Sequence, residues 1–479
     1  MNRLTCMSLI VLAAFVAGCP PDGPGTPNPP SGPATVDMPD AGLESVVRDV
    51  IDKPVGDIMP EDVSTIASLD ISGQGITDLG GLEFFSGLQV LHATDNPFDD
   101  LSAIADLTDL NELDLSSTGV VDLTIVAGLA NLRVLRIQGT GITDLTPLAG
   151  LDALRILDAR APRIDDLTPL SGLIGLLELD VSRTDIDSIA PVETLVNLES
   201  LNIAETQVTL IGAVVGMSNL REFVIGFTPV VLLSPLLNLD ALESLDLRSP
   251  SVVDLSALAG LTTLRELHIA SFSNFITDLT PLKDLTSLTA LTIDSDGVTS
   301  IGPLSGLTSV ETLTVRSSNV TVFTALAGMT GLRFLDLERT AFSDLSSLAG
   351  LLSLEHLIVS QTLVSDLTPL TSMPALKTLR ASQTLVTSLD PLEFVPTLET
   401  LSASGNAIGD ITALSGLVNL SLLNLDDCNV ADLGPLVINS TLGGLGDGDF
   451  VSVVNNPLGA ITVNVVIPYL EADGVLVDY

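Results

Sequence analysis

The chain has 479 residues, of which 46% are hydrophobic and 3% are aromatic, so the predicted core is built from aliphatic side chains. Its 18 Lys and Arg residues against 60 Asp and Glu residues give a formal net charge of −42 at pH 7. This charge excludes general nucleic-acid binding, which needs a basic surface. It also opposes association between copies, so we expect a monomer.

The first 18 residues have the features of an export signal. Arg3 supplies a positive charge, and the apolar run 7–17 is too short to anchor a helix across a bilayer. The run ends in "VAGC" (16–19), which resembles the bacterial lipobox, and this resemblance implies that Cys19 is diacylated and becomes the new N-terminus. The alternative is an ordinary cleaved signal followed by a chance cysteine.

Residues 19–34 are expected to form a spacer that begins at this cysteine. Pro and Gly dominate "PPDGPGTPNPPSGP" (20–33), a composition that does not pack into a core. Pro20, and not Asp, follows the cysteine, so the resemblance gives no signal for retention at an inner membrane. We therefore expect an exported protein that is held by lipid in a bacterial envelope, at the outer membrane or the cell surface.

A repeat of 22 residues occupies most of the chain. Counted from Ile66, every unit begins 22 residues after the previous one, except for a step of 24 residues from Leu264 to Leu288, and the last of the 17 units begins at Leu420. Places 1, 4, 6, 11, 14, 17 and 20 of each unit are nearly always apolar. Such a fixed period predicts a stack of similar coils.

The spacing within a unit predicts its shape. Places 4 and 6 alternate with polar neighbours, as in a strand, whereas places 14, 17 and 20 step by three, as in a 3₁₀ turn. One unit is too small to bury its own apolar side chains, so neighbouring units must stack. Thr or Ser followed by Pro, as in Thr146–Pro147, is suited to the start of the turn.

Place 9 is usually a short polar residue in an otherwise buried part of the unit. We expect these side chains to bond the backbone of the bend and to form a polar ladder along the stack. The residues are Asn96, Thr118, Thr140, Thr184, Thr206, Thr228, Thr340, Thr362, Thr384 and Asn406.

The pattern L-x-x-L-x-L-x-x-T/N-x-I-x-D-L-x-x-L-x-x-L resembles the leucine-rich repeat in its short form, similar to internalins. The resemblance implies an α/β solenoid, a right-handed superhelix with a parallel sheet on the concave face and short 3₁₀, helical or extended segments on the convex face. Residues 66–441 hold the repeats. Residues 35–65 resemble a helical N-terminal cap, and 442–479 resemble a terminal coil in which Val451, Val453 and Asn456 hold places 4, 6 and 9.

Asp recurs at place 13, after the strand and before the turn. Stacked carboxylates repel one another, so a bound Ca²⁺ is one interpretation of this row. We favour the other, in which each Asp accepts backbone N–H groups of its own bend, because one carboxylate per coil is too few for a calcium site. The residues are Asp78, Asp100, Asp122, Asp144, Asp166, Asp254, Asp278, Asp344, Asp366, Asp410 and Asp432.

No catalytic motif, phosphate-binding loop or metal-spaced Cys/His set is present, so we expect neither an enzyme nor a cofactor. The three histidines, His92, His268 and His356, fall at outward places of the strands. His92 is expected between Asp70 and Asp114 of the adjacent strands. We interpret this row as surface charge, since an exposed row lacks the enclosed pocket that catalysis needs.

Basic residues are concentrated on the strand side of the units, where Arg outnumbers acid between residues 132 and 183. We predict a docking patch for an acidic protein partner there. The patch consists of Val134, Arg136, Ile156, Arg160, Arg163 and Arg183. The alternative is that the charges only pair across the sheet, as in the row Asp114–Arg136–Asp158.

A second candidate patch surrounds the one irregular unit. "ASFSNFITDL" (270–279) carries two extra residues and two aromatic residues, and additional loop length on a regular scaffold often marks function. The patch consists of Val224, Phe227, Arg248, His268, Phe272 and Phe275. The alternative is that one Phe merely fills a widened bend.

Two functions follow from these observations. The first is a lipid-anchored envelope scaffold that binds a protein partner on its strand side, without catalysis. The alternative is a structural, acidic coat or adhesion element, possibly linked by calcium. The Arg pattern favours the first function and the Asp row favours the second.

Overall fold

A computed structural model describes residues 35–249, 251–271, 276–316 and 319–479. The predicted signal segment, the spacer and Cys19 lie outside the described residues. The strands are β1 Ser68–Asp70, β2 Val90–His92, β3 Glu112–Asp114, β4 Val134–Arg136, β5 Ile156–Asp158, β6 Glu178–Asp180, β7 Ser200–Asn202, β8 Glu222–Val224, β9 Ser244–Leu247, β10 Glu266–Ser271, β11 Ala290–Ser295, β12 Thr312–Arg316, β13 Phe334–Asp336, β14 His356–Ile358, β15 Thr378–Arg380, β16 Thr400–Ser402, β17 Leu422–Asn424, β18 Phe450–Ser452 and β19 Leu476–Asp478.

These strands form one parallel sheet of 19 strands, in which each strand pairs with the next one along the chain. The pairing joins equal places of neighbouring units. Leu135, for example, lies opposite Leu157, and Arg136 lies opposite Asp158. A 22-residue period with short turns between parallel strands confirms the predicted leucine-rich-repeat solenoid.

The apolar places form one continuous core between the sheet and the turns. In the unit that begins at Leu132, the side chains of Leu135, Ile137, Leu145 and Leu148 are all at most 1% exposed. Most units close with a 3₁₀ turn that begins at place 14 or 15, such as Thr146–Leu148 with Pro147 in its first turn. The predicted alternation and step of three are therefore both present.

The polar residues at place 9 are buried, apart from the half-buried Thr384, but most of their hydrogen bonds differ from the expected ladder. The hydroxyl of Thr140 donates to the carbonyl of Ile137 in the same coil, at 2.7 Å, and the other threonines repeat this bond. Asparagine, with a longer side chain, does reach the previous coil: Asn96 donates to the carbonyl of Ile71 at 2.9 Å. The predicted bonds to the backbone of the bend are thus confirmed for Thr, while links along the stack are confirmed for Asn96 and Asn406, the latter also accepting from the Thr384 hydroxyl.

Place 8, which the sequence analysis did not single out, is held in a left-handed conformation in most regular coils. Gly139 has φ 69° there, and glycine adopts this conformation without strain. Arg183, Phe227 and Arg339 occupy the same place with φ between 59° and 61°, although bulky side chains disfavour it. These coils therefore turn tightly at place 8 even where the residue is bulky.

Four coils in the middle of the stack have longer strands. β9 to β12 extend over four to six residues, whereas the other strands have three. Ser249, Ser271 and Ser295 lie at place 8 of three of these coils and are buried at no more than 1% exposure. The Ser249 hydroxyl donates to the carbonyl of Thr228, while Ser271 Oγ has no hydrogen-bond partner among the described residues. The strands β10 and β11 thus continue through Ser271 and Ser295, at the place where most regular coils have the left-handed turn.

The ends of the stack carry the helices, which are α1 Ala41–Val50, α2 Pro60–Val63, α3 Gly434–Thr441 and α4 Ile467–Ala472. Asp40 caps α1 by accepting the N–H groups of Gly42 and Leu43, and it also accepts the N–H of Thr77 in the first repeat. The buried side chains of Leu43 and Val47 join the core of the stack. In the described part of the chain, no helix is long and apolar enough to span a bilayer.

The C-terminal end extends the repeat. Val451 and Val453 are buried at places 4 and 6, and Asn456 donates to the carbonyl of Leu425 at 2.8 Å, as predicted for place 9. Asn439, which breaks the pattern at place 20, is fully buried and donates to two carbonyls of the preceding coil, those of Leu414 and Leu417. The strand β19 after this coil was not predicted.

We expect Leu267→Ala to lower the free energy of unfolding by ~2–5 kcal/mol, because it removes a fully buried side chain from β10 and leaves a cavity between stacked coils. Chemical denaturation measures this change. Leu352→Ala is the matched control, since Leu352 is 58% exposed and its truncation should change the free energy by less than about 0.5 kcal/mol. Equal losses in both variants would contradict a core that is shared between coils.

Candidate binding face

The side chains at places 3, 5 and 7 of the units point away from the core, and we call the surface that they form the strand face. Parallel pairing sets neighbouring side chains of one row about 4.8 Å apart. Four residues of the predicted docking patch, Val134, Arg136, Ile156 and Arg160, lie on this face at β4 and β5, whereas Arg163 and Arg183 lie beside it at places 10 and 8. Val134 and Ile156 are adjacent in register and half-buried there.

Arg136 does not pair as the sequence suggested. It lies in register between Asp114 and Asp158, but its guanidinium donates to Glu112 at place 3, at 2.6 Å. The bond from Arg136 is the main cause that lowers the pKa of the Glu112 carboxyl, and His92 approaches the same carboxylate at 3.3 Å. His92 thus lies in register with Asp70 and Asp114, as predicted, while its contact is with Glu112.

The other arginines of the patch fall into two groups. Arg160 bonds both oxygens of Asp158 and lies 3.6 Å from Asp180, and Arg183 pairs with Glu205 at 3.0 Å. Arg163 is exposed, and no carboxylate lies within ion-pair distance of it among the residues described. The structure therefore places Arg136, Arg160 and Arg183 in separate ion pairs on successive coils, which we together call the ion-pair network, and leaves Arg163 outside it.

A shallow depression of 270 Å³ lies beside this network. Arg136 and Ile156 line one side of it, and acidic and amide side chains line the rest: Asp158, Glu178, Asp180, Asn202 and Glu222. The excess of Arg between residues 132 and 183 did not indicate this acidic half, because Asn202 and Glu222 lie beyond that segment. The candidate site is consequently a surface of mixed charge.

The second candidate patch also forms in part. The guanidinium of Arg248 lies 5.5 Å from the centre of the Phe227 ring and bonds both oxygens of Asp246. Val224 and His268 lie in register on either side of Asp246. Phe272 and Phe275 lie outside the described residues.

A third polar cluster was not predicted. Asp336, at 1% exposure, accepts two bonds from Arg316, at 2.7 and 3.1 Å. Asp294 lies in register with Arg316, and burial raises the pKa of its carboxyl. The only sequence signal was the acid–base–acid alternation at place 7 of three successive units, Asp294, Arg316 and Glu338.

The Asp row at place 13 has the capping geometry. Asp166 accepts the N–H of Thr168 at 2.8 Å, and Asp122, Asp144 and Asp410 accept the equivalent N–H two residues later at the same distance. The pKa of the Asp166 carboxyl is lowered mainly by a hydrogen bond from the Thr168 hydroxyl and, to a smaller extent, by the bond from the Thr168 N–H. Within the described ranges, no group of three or more His, Cys, Asp or Glu side chains is arranged to hold a metal ion.

Comparison with solved structures supports the repeat family. An internalin of Listeria monocytogenes is 26% identical, with a TM-score of 0.60 over 73% of this chain and 98% of that one. A leucine-rich-repeat protein of Leptospira interrogans is 19% identical, with a TM-score of 0.59 over 88% and 97%. A TDR receptor is 16% identical, with a TM-score of 0.57 over 83% and 82%. No protein-family model and no curated protein matches the sequence.

We expect Asp166→Ala to destabilise the protein at pH 7, because the turn loses an acceptor of two hydrogen bonds. The folded-state pKa of Asp166 lies below the unfolded value, so its stabilisation is complete above about pH 4 and is lost as the pH falls through the folded pKa. Urea unfolding of wild type and variant should therefore differ at pH 7 and converge once the pH falls below the lowered pKa of Asp166.

Asp165→Ala is the control, since it removes the same charge from the adjacent exposed position, and it should change the unfolding midpoint little. The melting temperature should also be insensitive to a calcium chelator. A large drop on chelation would instead assign the Asp row to a calcium site.

Proposed function

We propose that this internalin-like leucine-rich-repeat protein is a non-enzymatic binding scaffold that presents its strand face to a protein partner. The observation that carries the proposal is the in-register row of ion-paired, half-exposed side chains across β3 to β7. Stacked repeats supply an extended surface of this kind, which suits a macromolecule better than a small substrate.

The ion pairs define which partner fits. Arg160 bonds Asp158 and approaches Asp180, so its guanidinium is held in place and loses little freedom when a partner binds. Arg163 is free to pair with a carboxylate of the partner. The carboxylates of Glu178 and Glu222 in the neighbouring depression would repel a uniformly acidic surface. The partner we propose is therefore a protein surface of alternating charge that brings a carboxylate to the Arg163 side.

The alternative of an acidic coat linked by calcium has less support. Its motive was the Asp row, and those carboxylates accept the N–H groups of their own turns. A carboxylate in such a turn has fewer lone pairs left for a cation. The binding scaffold is the better account of the surface.

We further propose that the scaffold is exported and tethered by lipid at Cys19 in a bacterial envelope. "VAGC" (16–19) and the Pro/Gly spacer that follows motivate this part of the proposal. A tether of this composition would let the repeat stack reach partners away from the membrane surface.

Cys19→Ala should abolish labelling by radioactive fatty acid and release the protein from the membrane fraction. The physical reason is that the two acyl chains supply the membrane affinity. Fractionation of expressing cells measures both effects. An unlabelled wild type that is as membrane-bound as the variant would contradict the lipid anchor.

The double variant Arg136→Glu with Arg160→Glu should weaken partner binding at least tenfold, about 1.4 kcal/mol or more, because it reverses charge at the centre of the network. Partners are captured from envelope extracts with the wild-type chain, and affinities are then measured with the purified partner. Binding should also weaken as salt is raised.

Arg333→Glu with Lys377→Glu is the matched control. Both side chains pair with Glu355 at place 2, so the control reverses the same number of charges and breaks two ion pairs beside the strand face. Melting temperatures of both variants report any loss of folding. Equal losses of affinity would indicate a diffuse charge effect, and unchanged binding would favour the cluster of Phe227 and Arg248.

A further inference from the structure

A second surface lies on the turn side of the coils that begin at Leu198, Leu220 and Leu242. Six aliphatic side chains are exposed there, each between 45% and 70%. We call this surface the lateral apolar patch, and it consists of Leu210, Val215, Val231, Leu232, Leu237 and Val253. It is separate from the strand face, since its residues lie at places 12, 13 and 18 of their units.

The patch departs from the repeat at the position that otherwise stabilises the turn. Place 13 is Asp or Ser in most units, and the side chain accepts the N–H two residues later, as Asp254 does from Ser256 and Ser188 from Ala190. Leu210 and Leu232 occupy this place in two consecutive units and offer no acceptor. Two caps are thus replaced by exposed leucines, a change that folding does not explain.

Charge is also absent from this part of the chain. Residues 206–220 and 223–239 contain no Asp, Glu, Lys, Arg or His, although the whole chain carries a net charge of −42. Exposed apolar surface without charge is uncommon on soluble proteins, and where it is contiguous it marks an interaction site.

The patch has a shaped centre. Val231, Leu232, Leu237 and Val253 line a depression of 150 Å³, with Asp254 at its edge. This volume is below the range of small-molecule sites, which begins at about 300 Å³, and it suits an inserted side chain. An aliphatic or aromatic side chain of a partner would lose its contact with water there.

The surrounding charge selects the partner. Asp240 and Asp254 are exposed beside the patch, and a net charge of −42 repels both a second copy of the chain and an anionic membrane. A segment with basic residues is attracted by the same field. We propose that the lateral apolar patch docks an apolar segment of a protein partner that is flanked by basic residues.

The test uses the full chain and a short synthetic peptide with central leucines and lysines at both ends. Isothermal titration should show saturable binding to the wild-type protein. Leu210→Asp with Leu232→Asp should weaken it at least tenfold, although the two new carboxylates increase the attraction for the lysines. Non-specific electrostatic binding would change in the opposite direction, so the sign of the effect separates the two explanations.

The double variant is expected to fold, because it restores the residue that most other units carry at place 13, and its melting temperature checks this. Leu352→Asp with Leu385→Asp is the matched control, since these leucines are 58% and 57% exposed elsewhere on the stack. The control should bind the peptide as the wild type does.

Several results would overturn the proposal. One is unchanged or tighter peptide binding by the Leu210→Asp/Leu232→Asp variant, and another is an equal loss of binding in the control. A wild-type dimer in ultracentrifugation that this variant abolishes would instead assign the patch to a second copy of the chain. Retention on phosphatidylcholine vesicles without peptide binding would assign it to lipid. Arg136→Glu with Arg160→Glu should leave peptide binding unchanged, so failure here and failure of the strand-face function are distinguishable.

Discussion

Burial of leucine between successive coils is the interaction on which the rest of the structure depends. A single coil exposes Leu135, Ile137 and Leu148 on its flanks, and only a neighbouring coil removes them from water, at roughly 1.5–3 kcal/mol for each side chain. Because equal places must meet for the leucines to interlock, the parallel pairing is held in register along the sheet. A register shift would turn core side chains outward. The rows of outward side chains are a consequence of this core.

Since the core constrains places 1, 4, 6, 11, 14, 17 and 20, the other places are free to vary, and their departures from the pattern carry information. The ion pair of Arg136 with Glu112 joins two adjacent coils, and because it lies at the surface it adds little to the free energy of unfolding. Leu232 at a capping place, and Phe227 in a left-handed turn, both work against folding. These surface residues do not stabilise the fold, so binding of a partner is the best explanation for their presence.

The sequence predicted the features that depend on backbone period and burial, namely the strands, the turns, the stacking and the outward rows. It did not predict features decided by side-chain reach and by the adjacent coil. Thr140 is too short to leave its own coil, whereas Asn96 reaches the previous one. Arg136 has carboxylates in register on both sides, yet its length favours Glu112 at another place. The lengthened strands β9 to β12 were not predicted either, since the serines buried at place 8 of β10 and β11 look like ordinary polar residues in the sequence. For the candidate site, pairing of the arginines with acids across the sheet was the alternative interpretation, but the partners Glu112, Asp180 and Glu205 were not predicted.

The architecture also determines how far a change on one coil can be felt. Each coil contacts only its neighbours, so the free energy of unfolding is close to a sum of contributions from single coils and their interfaces. A substitution on the surface of one coil should therefore leave the structure of distant coils unchanged. Arg160 and Leu232 belong to coils that are three units apart and lie on different sides of the stack. Substitutions at the two places should therefore add independently in their effect on stability. Because distant coils vary independently, a strand face of mixed charge and an uncharged lateral apolar patch can coexist on one chain without either disturbing the other.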